Sequence, residues 1–86
     1  MDYLFYSFFL GIDDTVDIKL DKPAHVRLMD SANYNKYRHD QRYSFYGGFV
    51  NGQTYRIQPP NPGDWILVID CDGEKVDVKA DVNIIK

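Results

Sequence analysis

Lys75-Val76-Asp77-Val78-Lys79-Ala80-Asp81-Val82-Asn83-Ile84-Ile85 alternates without a break. Val76, Val78, Ala80, Val82 and Ile84 share one side; Asp77, Lys79, Asp81 and Asn83 share the other. Successive side chains of a strand point to opposite faces, so the stretch predicts a half-buried β-strand with one core face and one water face. Residues 15–20 repeat the pattern, with Val16, Ile18 and Leu20 against Asp17 and Lys19. In residues 24–30, Val26 and Leu28 face one way and Arg27 and Met29 the other. Residues 65–71 are almost wholly apolar and read as a central strand. Residues 3–10 are apolar on both alternating faces, the pattern of a strand buried on both sides.

Turn chemistry separates these runs. Residues 11–14 form a turn, and Asp21-Lys22-Pro23 breaks the second strand. Residues 31–40 are polar with no clean period; they predict a loop, or one short helical turn with Ser31 as N-cap. Residues 41–50 read as a strand, and Gly47-Gly48 within it predicts a bulge or a close backbone approach. Asn51-Gly52 and Asp72-Gly73 sit between apolar runs and predict two type I′ hairpins, whose central residues need positive φ. Residues 59–64, Pro-Pro-Asn-Pro-Gly-Asp, form a stiff crossing in which proline cannot donate to a ladder. The expected fold is all-β: one domain over 1–86, a small β-sandwich or flattened barrel of about seven mostly antiparallel strands, jelly-roll-like in shape.

Composition agrees. The 86 residues suit one domain and are too few for a barrel enzyme or a doubly wound dinucleotide fold. Of 13 acidic side chains only Glu74 is glutamate, and five Phe, seven Tyr and one Trp supply large burial per residue. Aspartate favours turns and caps, whereas aromatic and β-branched residues favour strands. Cys71 is the single cysteine and has no internal disulfide partner, which points to a reducing, cytoplasmic setting. The net charge of −3 argues against a nucleic-acid binder and against a polybasic membrane anchor. The apolar start is too short to span a bilayer, and no positive residue precedes it as in a signal peptide.

One ordered set is distinctive: Val26-Arg27-Leu28-Met29-Asp30-Ser31-Ala32-Asn33-Tyr34, then Tyr37, Tyr43, Tyr46-Gly47-Gly48, Pro62-Gly63-Asp64-Trp65 and Val68-Ile69-Asp70. It resembles the small bacterial family called domain of unknown function 1883, over roughly residues 15–85. The resemblance implies a compact β-rich domain, found alone or joined to other modules, in some proteins to a TIR domain. It implies no catalytic residue, because that family has no established activity.

The chemistry-bearing residues give weak enzyme signals. Cys71 has His25 and His39 as candidate partners, but Asp70 and Asp72 flank it and disfavour a thiolate. It reads as a small buried or semi-buried thiol. Ser31 lacks the glycine frame of a nucleophile elbow. Asp70-Cys71-Asp72-Gly73-Glu74 superficially resembles a calcium loop, yet the remaining ligands are missing and an Asp-Gly hairpin explains it. No metal site and no cofactor motif is legible, and the chain is expected not to be an enzyme.

Segment 27–46 is the best binding candidate. It holds four basic residues, Arg27, Lys36, Arg38 and Arg42, against Asp30 and Asp40, together with His39 and Tyr34, Tyr37, Tyr43 and Tyr46. Arginine offers a fixed donor fork and tyrosine a stacking face with a polar tip. The expected site is Arg27 and Arg42 as charge partners, Tyr34, Tyr37 and Tyr46 as stacking rings, and Asp30 and Asn33 as orienting groups. Gly47 and Gly48 would let a ligand or strand approach the backbone. The expected function is a non-catalytic recognition module for a small anionic or nucleotide-like ligand or a protein partner. Two alternatives stand beside it. In one, the tyrosine-rich segment merely packs over the sandwich end, with an Arg27–Asp30 ion pair. In the other, the chain is a structural homodimer joined through its aromatic first strand.

Overall fold

The alternating stretches become strands, in a computed structural model that describes residues 3–51 and 54–85. Among these the order is β1 (Leu4–Leu10), β2 (Thr15–Leu20), β3 (Ala24–Met29), α1 (Ser31–Arg38), β4 (Tyr46–Val50), β5 (Thr54–Ile57), β6 (Gly63–Asp70) and β7 (Ala80–Ile85). Two sheets form, β1-β6-β3-β4 and β5-β2-β7, and every pairing is antiparallel. The sheets stay separate, so the fold is a sandwich and not a closed barrel. Only β3 and β4, joined through α1, are both consecutive and paired; every other connection crosses between the sheets.

The core lies where the two inner faces meet. Val16, Ile18 and Leu20 of β2 pack against Val26 and Leu28 of β3 and against Trp65, Leu67 and Ile69 of β6, with Leu10 and Val50 beside them. Ala80, Val82 and Ile84 of β7 close the side, as the alternation requires. Each such side chain contributes roughly 1.5–3 kcal/mol on full burial. A second, smaller core lies on the outer face of the four-stranded sheet, where Tyr37 of α1 covers Met29, Ile66 and Val68. Strand β6 is therefore buried on both faces, as its apolar run predicts. The crossing at residues 59–64 is pinned by Trp65, whose indole Nε1–H donates to the Asn61 carbonyl at 2.9 Å.

Several expectations change. β1 is an edge strand rather than one buried on both sides. Leu4, Tyr6, Phe8 and Leu10 turn inward, whereas Phe5 is 48% and Phe9 73% exposed. The strand expected over residues 41–50 begins only at Tyr46, and the one expected from Lys75 begins at Ala80. Asp72 and Gly73 do take positive φ, +59° and +88°, and Glu74 N–H donates to the Cys71 carbonyl at 3.2 Å. The hairpin stops after that single bridge, because β7 joins β2 in the other sheet. The turn expected at Asn51-Gly52 lies partly outside the described residues. Its flanking strands β4 and β5 belong to different sheets, so no hairpin ladder joins them.

Residues 31–38 form a two-turn helix, not a loop or a single turn, and its N-cap is Asp30, not Ser31. The Asp30 carboxylate accepts from Asn33 N–H at 2.9 Å, satisfying one free donor of the first turn. At the other end Gln41 N–H donates to the Lys36 carbonyl at 2.9 Å and Asp40 N–H to that of Tyr37 at 3.3 Å. Asp40 sits at φ +59°, completing a Schellman stop with aspartate where glycine is usual. Asp30→Ala is expected to cost about 1 kcal/mol. Urea unfolding followed by circular dichroism would show that loss as a lower midpoint with unchanged slope. No helix among the described residues is long and apolar enough to cross a membrane.

Candidate functional site

Strand alternation sets His25, Arg27 and Met29 on the outer face of β3, beside Asp70, Val68 and Ile66 of β6. Asp70 ends an apolar strand and is only 1% exposed. A buried carboxylate needs partners, and this one has four. Arg27 grips it bidentately, Nε to Oδ2 at 3.0 Å and Nη2 to Oδ1 at 3.2 Å. The Tyr37 hydroxyl donates to Oδ2 at 2.6 Å, and Asp72 N–H donates to Oδ1 at 3.1 Å. Burial alone would raise the Asp70 pKa, but the bonds from Arg27, Tyr37 and Asp72 outweigh it and hold the group below its ordinary value. Burial, and then the bond to Asp70, push the Tyr37 hydroxyl well above its ordinary range.

Asp72 stands at the rim and links two basic groups. Its carboxylate lies 3.4 Å from Arg27 Nη2 and 3.5 Å from His25 Nε2. A cavity of about 430 Å³ opens on the His25 side, lined by Lys22, Phe49, Cys71, Lys75 and Val78 among others. A second, of about 230 Å³, opens on the Arg27 side against Tyr37, Asp40, Tyr43 and Gly73. The Phe45 ring faces the Arg27 guanidinium, with 5.0 Å from Cζ to the centroid. Phe49 meets His25 edge-on at 5.1 Å.

The structure divides the nine residues expected at the site. Arg27 and Tyr37 converge on Asp70 as described. Tyr34 stacks on Tyr37 at 6.5 Å, and its hydroxyl bonds that of Tyr3 at 2.9 Å. These rings pack on one another rather than standing free. Asp30 caps α1, and Asn33 ties back to Asp30 at 2.9 Å and to Ser44 N–H at 2.9 Å; neither orients an arginine. The Arg27–Asp30 ion pair is replaced by Arg27–Asp70, because residues three apart on a strand point to opposite faces. Arg42 is exposed. Tyr46 lies opposite Leu28 and meets Trp65 at 6.1 Å, so it belongs to the inner face, away from Arg27. Gly47 sits opposite Arg27 at φ +136°, and a Cβ there would overlap the Val26 carbonyl oxygen. The close approach predicted at the glycine pair is therefore by the chain's own β3, and it falls at Gly47. Gly48 has open space around it.

Sequence reasoning missed Asp70, Asp72, Tyr43 and Phe49. The signal for Asp70 was present: a lone acid at the end of an apolar central strand needs a cation, and Arg27 is the cation on the neighbouring strand's outer face. Cys71 is half-buried in the larger cavity, within the expected range. Among the described residues no three His, Cys, Asp or Glu side chains are grouped to hold a metal ion.

The raised Tyr37 pKa has a definite pH consequence. A group whose folded pKa lies above its unfolded value of 10.0 stabilises fully below that pH and loses the contribution as pH rises past it. Tyr37→Phe is expected to lower stability at neutral pH by roughly 1.5–3 kcal/mol, the worth of a bond to a charged group. Thermal melts should also show a shallower alkaline decline in the variant than in the parent.

No curated protein and no solved structure shows significant similarity to the chain. A family model does match, Domain of unknown function (DUF1883), over residues 1–86. The distinctive run from Val26 to Tyr34 turns out to supply the Arg27 grip, the Asp30 cap and the covering helix of one outer face. The chain belongs, over its whole length, to the DUF1883 family.

Proposed function

We propose that this chain is a non-catalytic recognition module that binds a segment of a partner protein across the outer face of its four-stranded sheet. The contact strip runs from Phe49 and Phe45 over Arg27 to the Asp72-Gly73 turn. One observation carries the reading: Phe49 is 62% exposed beside His25, with a cavity adjoining it and a second one beyond Asp72. Exposed aromatics next to a rigidly held arginine are the composition of binding hot spots. The absence of a free base supports a non-catalytic role, since all four acceptor positions of Asp70 are filled and Tyr37 is held as a donor. The unpaired Cys71 supports a cytoplasmic location.

A small anion is the second reading. Among the described residues the Arg27 Nη1 protons meet no protein acceptor, and no wholly buried side-chain nitrogen or oxygen lacks a partner, so Nη1 reaches solvent. Two carboxylates already balance that guanidinium, which favours the protein segment.

Selection of a displayed random-peptide library on the immobilised domain tests both. Peptides are expected to enrich and to lose at least about tenfold in affinity, roughly 1.4 kcal/mol, on Phe49→Asp. Enriched peptides indifferent to Phe49→Asp, or no enrichment, would reject the protein reading. Amide and Arg27 Nε–H shifts during titration with inorganic phosphate and with ATP would instead support the anion.

A further inference from the structure

We propose that the chain forms a two-fold symmetric dimer in which β1 of one copy pairs antiparallel with β1 of a second, making one continuous eight-stranded sheet. This is independent of the strip proposed above, which lies toward the opposite edge, at β4.

The partner is written into the strand itself. β1 reads Leu4-Phe5-Tyr6-Ser7-Phe8-Phe9-Leu10, a near-palindrome about Ser7. An antiparallel pairing centred on Ser7 sets Leu4 opposite Leu10, Phe5 opposite Phe9 and Tyr6 opposite Phe8. A two-fold interface must be self-complementary, and this register puts an equivalent side chain opposite each position. It also respects both faces. Phe5, Ser7 and Phe9 share the exposed outer side, whereas Leu4, Tyr6, Phe8 and Leu10 share the inner side. Pairing covers the two exposed rings with each other, in cross-strand aromatic pairs. Phe5 already packs on Tyr34 of α1 at 5.0 Å, so the second copy extends an aromatic cluster already present.

The edge is also the unguarded one. Free strand edges are usually protected by charge, proline, short length or irregular backbone. β4 carries Gly47 at φ +136°, β5 has four residues with a central Arg56, and β7 carries Asp81. β1 has seven residues, no charge and no proline. Among the described residues its backbone takes part in pairing with β6 alone.

Sedimentation of the full chain between about 1 µM and 1 mM tests the proposal, a range suited to weak association. The parent is expected to pass from monomer to dimer within it. Ser7→Lys places two lysines directly opposite each other across the axis, where like charges repel. Ser7 is exposed, so the fold should tolerate the change, which circular dichroism checks. Ser7→Lys alone and Ser7→Glu alone should each raise the dimer dissociation constant at least tenfold. An equimolar mixture of the two should recover a dimer. A parent monomeric up to 1 mM, a Ser7→Lys variant that dimerises as the parent does, or a mixture that stays monomeric would overturn the proposal. Whichever result is obtained, the peptide selection on Phe49 reads separately.

Discussion

Asp70→Ala is expected to remove most of the domain's stability, about 3–5 kcal/mol, because it leaves the Arg27 guanidinium largely buried without its carboxylate. A small domain has about 5–15 kcal/mol in total, so the variant stands near its unfolding threshold at room temperature. The loss should exceed that of Tyr37→Phe, since the carboxylate joins β6, β3 and α1 at once. Replacing the whole cluster, with Arg27→Met, Asp70→Leu and Tyr37→Phe together, should recover much of the loss. Apolar groups of similar volume often substitute for a buried ion pair at little cost. Denaturant unfolding of the single and triple variants measures both. A single variant within about 1 kcal/mol of the parent would mean that the pair contributes little more than a surface ion pair.

Gly47→Ala is expected to cost several kcal/mol. At φ +136° a side chain is strained by roughly 1–3 kcal/mol on its own. The added Cβ would also overlap the Val26 carbonyl oxygen, which is backbone in the centre of the sheet and has little room to yield. Relief requires β4 to shift away from β3, loosening Phe49 and Val50 together. Gly48→Ala is the matched control, because nothing lies within 4 Å of its Cβ position. It should stay within about 1 kcal/mol of the parent. Melting temperatures of the two variants, compared side by side, separate a local steric effect from a general intolerance of side chains in β4.

Where one periodicity dominated, the sequence was readable. β2, β6 and β7 follow directly from alternation or from a continuous apolar run, and two opposed layers follow from those strands. β1 misled because apolar residues on both sides of a strand signify burial only when both sides have neighbours. Its outer side has just Tyr34 over Phe5, and Phe9 is left in water. The helix was hidden because Ser31-Ala32-Asn33-Tyr34-Asn35-Lys36-Tyr37-Arg38 carries one buried residue, Tyr37, and no apolar stripe. Its stability comes from caps at both ends and from docking on Val68 and Met29 rather than from its own pattern. Two turns were read from Asn-Gly and Asp-Gly, but chain reversal does not determine which strand the return segment pairs with. After Asp72-Gly73 the apolar face of residues 76–84 finds its burial beneath the inner face, on β2.

The candidate site was half legible for a related reason. Segment 27–46 was correctly seen as unusual in its arginines and tyrosines, and Arg27, Tyr34, Tyr37 and Tyr43 do gather on one face. Their common partner, Asp70, lies 43 positions from Arg27 along the chain, beyond any local pattern. Charge matching between neighbouring strands needs the register, and register emerges only with the fold.

The central claim is that Asp70 is an ionised, fully engaged carboxylate that fastens α1 to the sheet and thereby fixes the face on which Arg27, Phe45 and Phe49 are presented. A group with its folded pKa depressed contributes stability that is full above its ordinary 3.8 and is lost as pH falls below it. The direct measurement is the carboxyl ¹³C shift of Asp70 followed through an acid titration of the folded domain. A midpoint below 3.8 is the result this account predicts; a midpoint at or above 3.8 would contradict it.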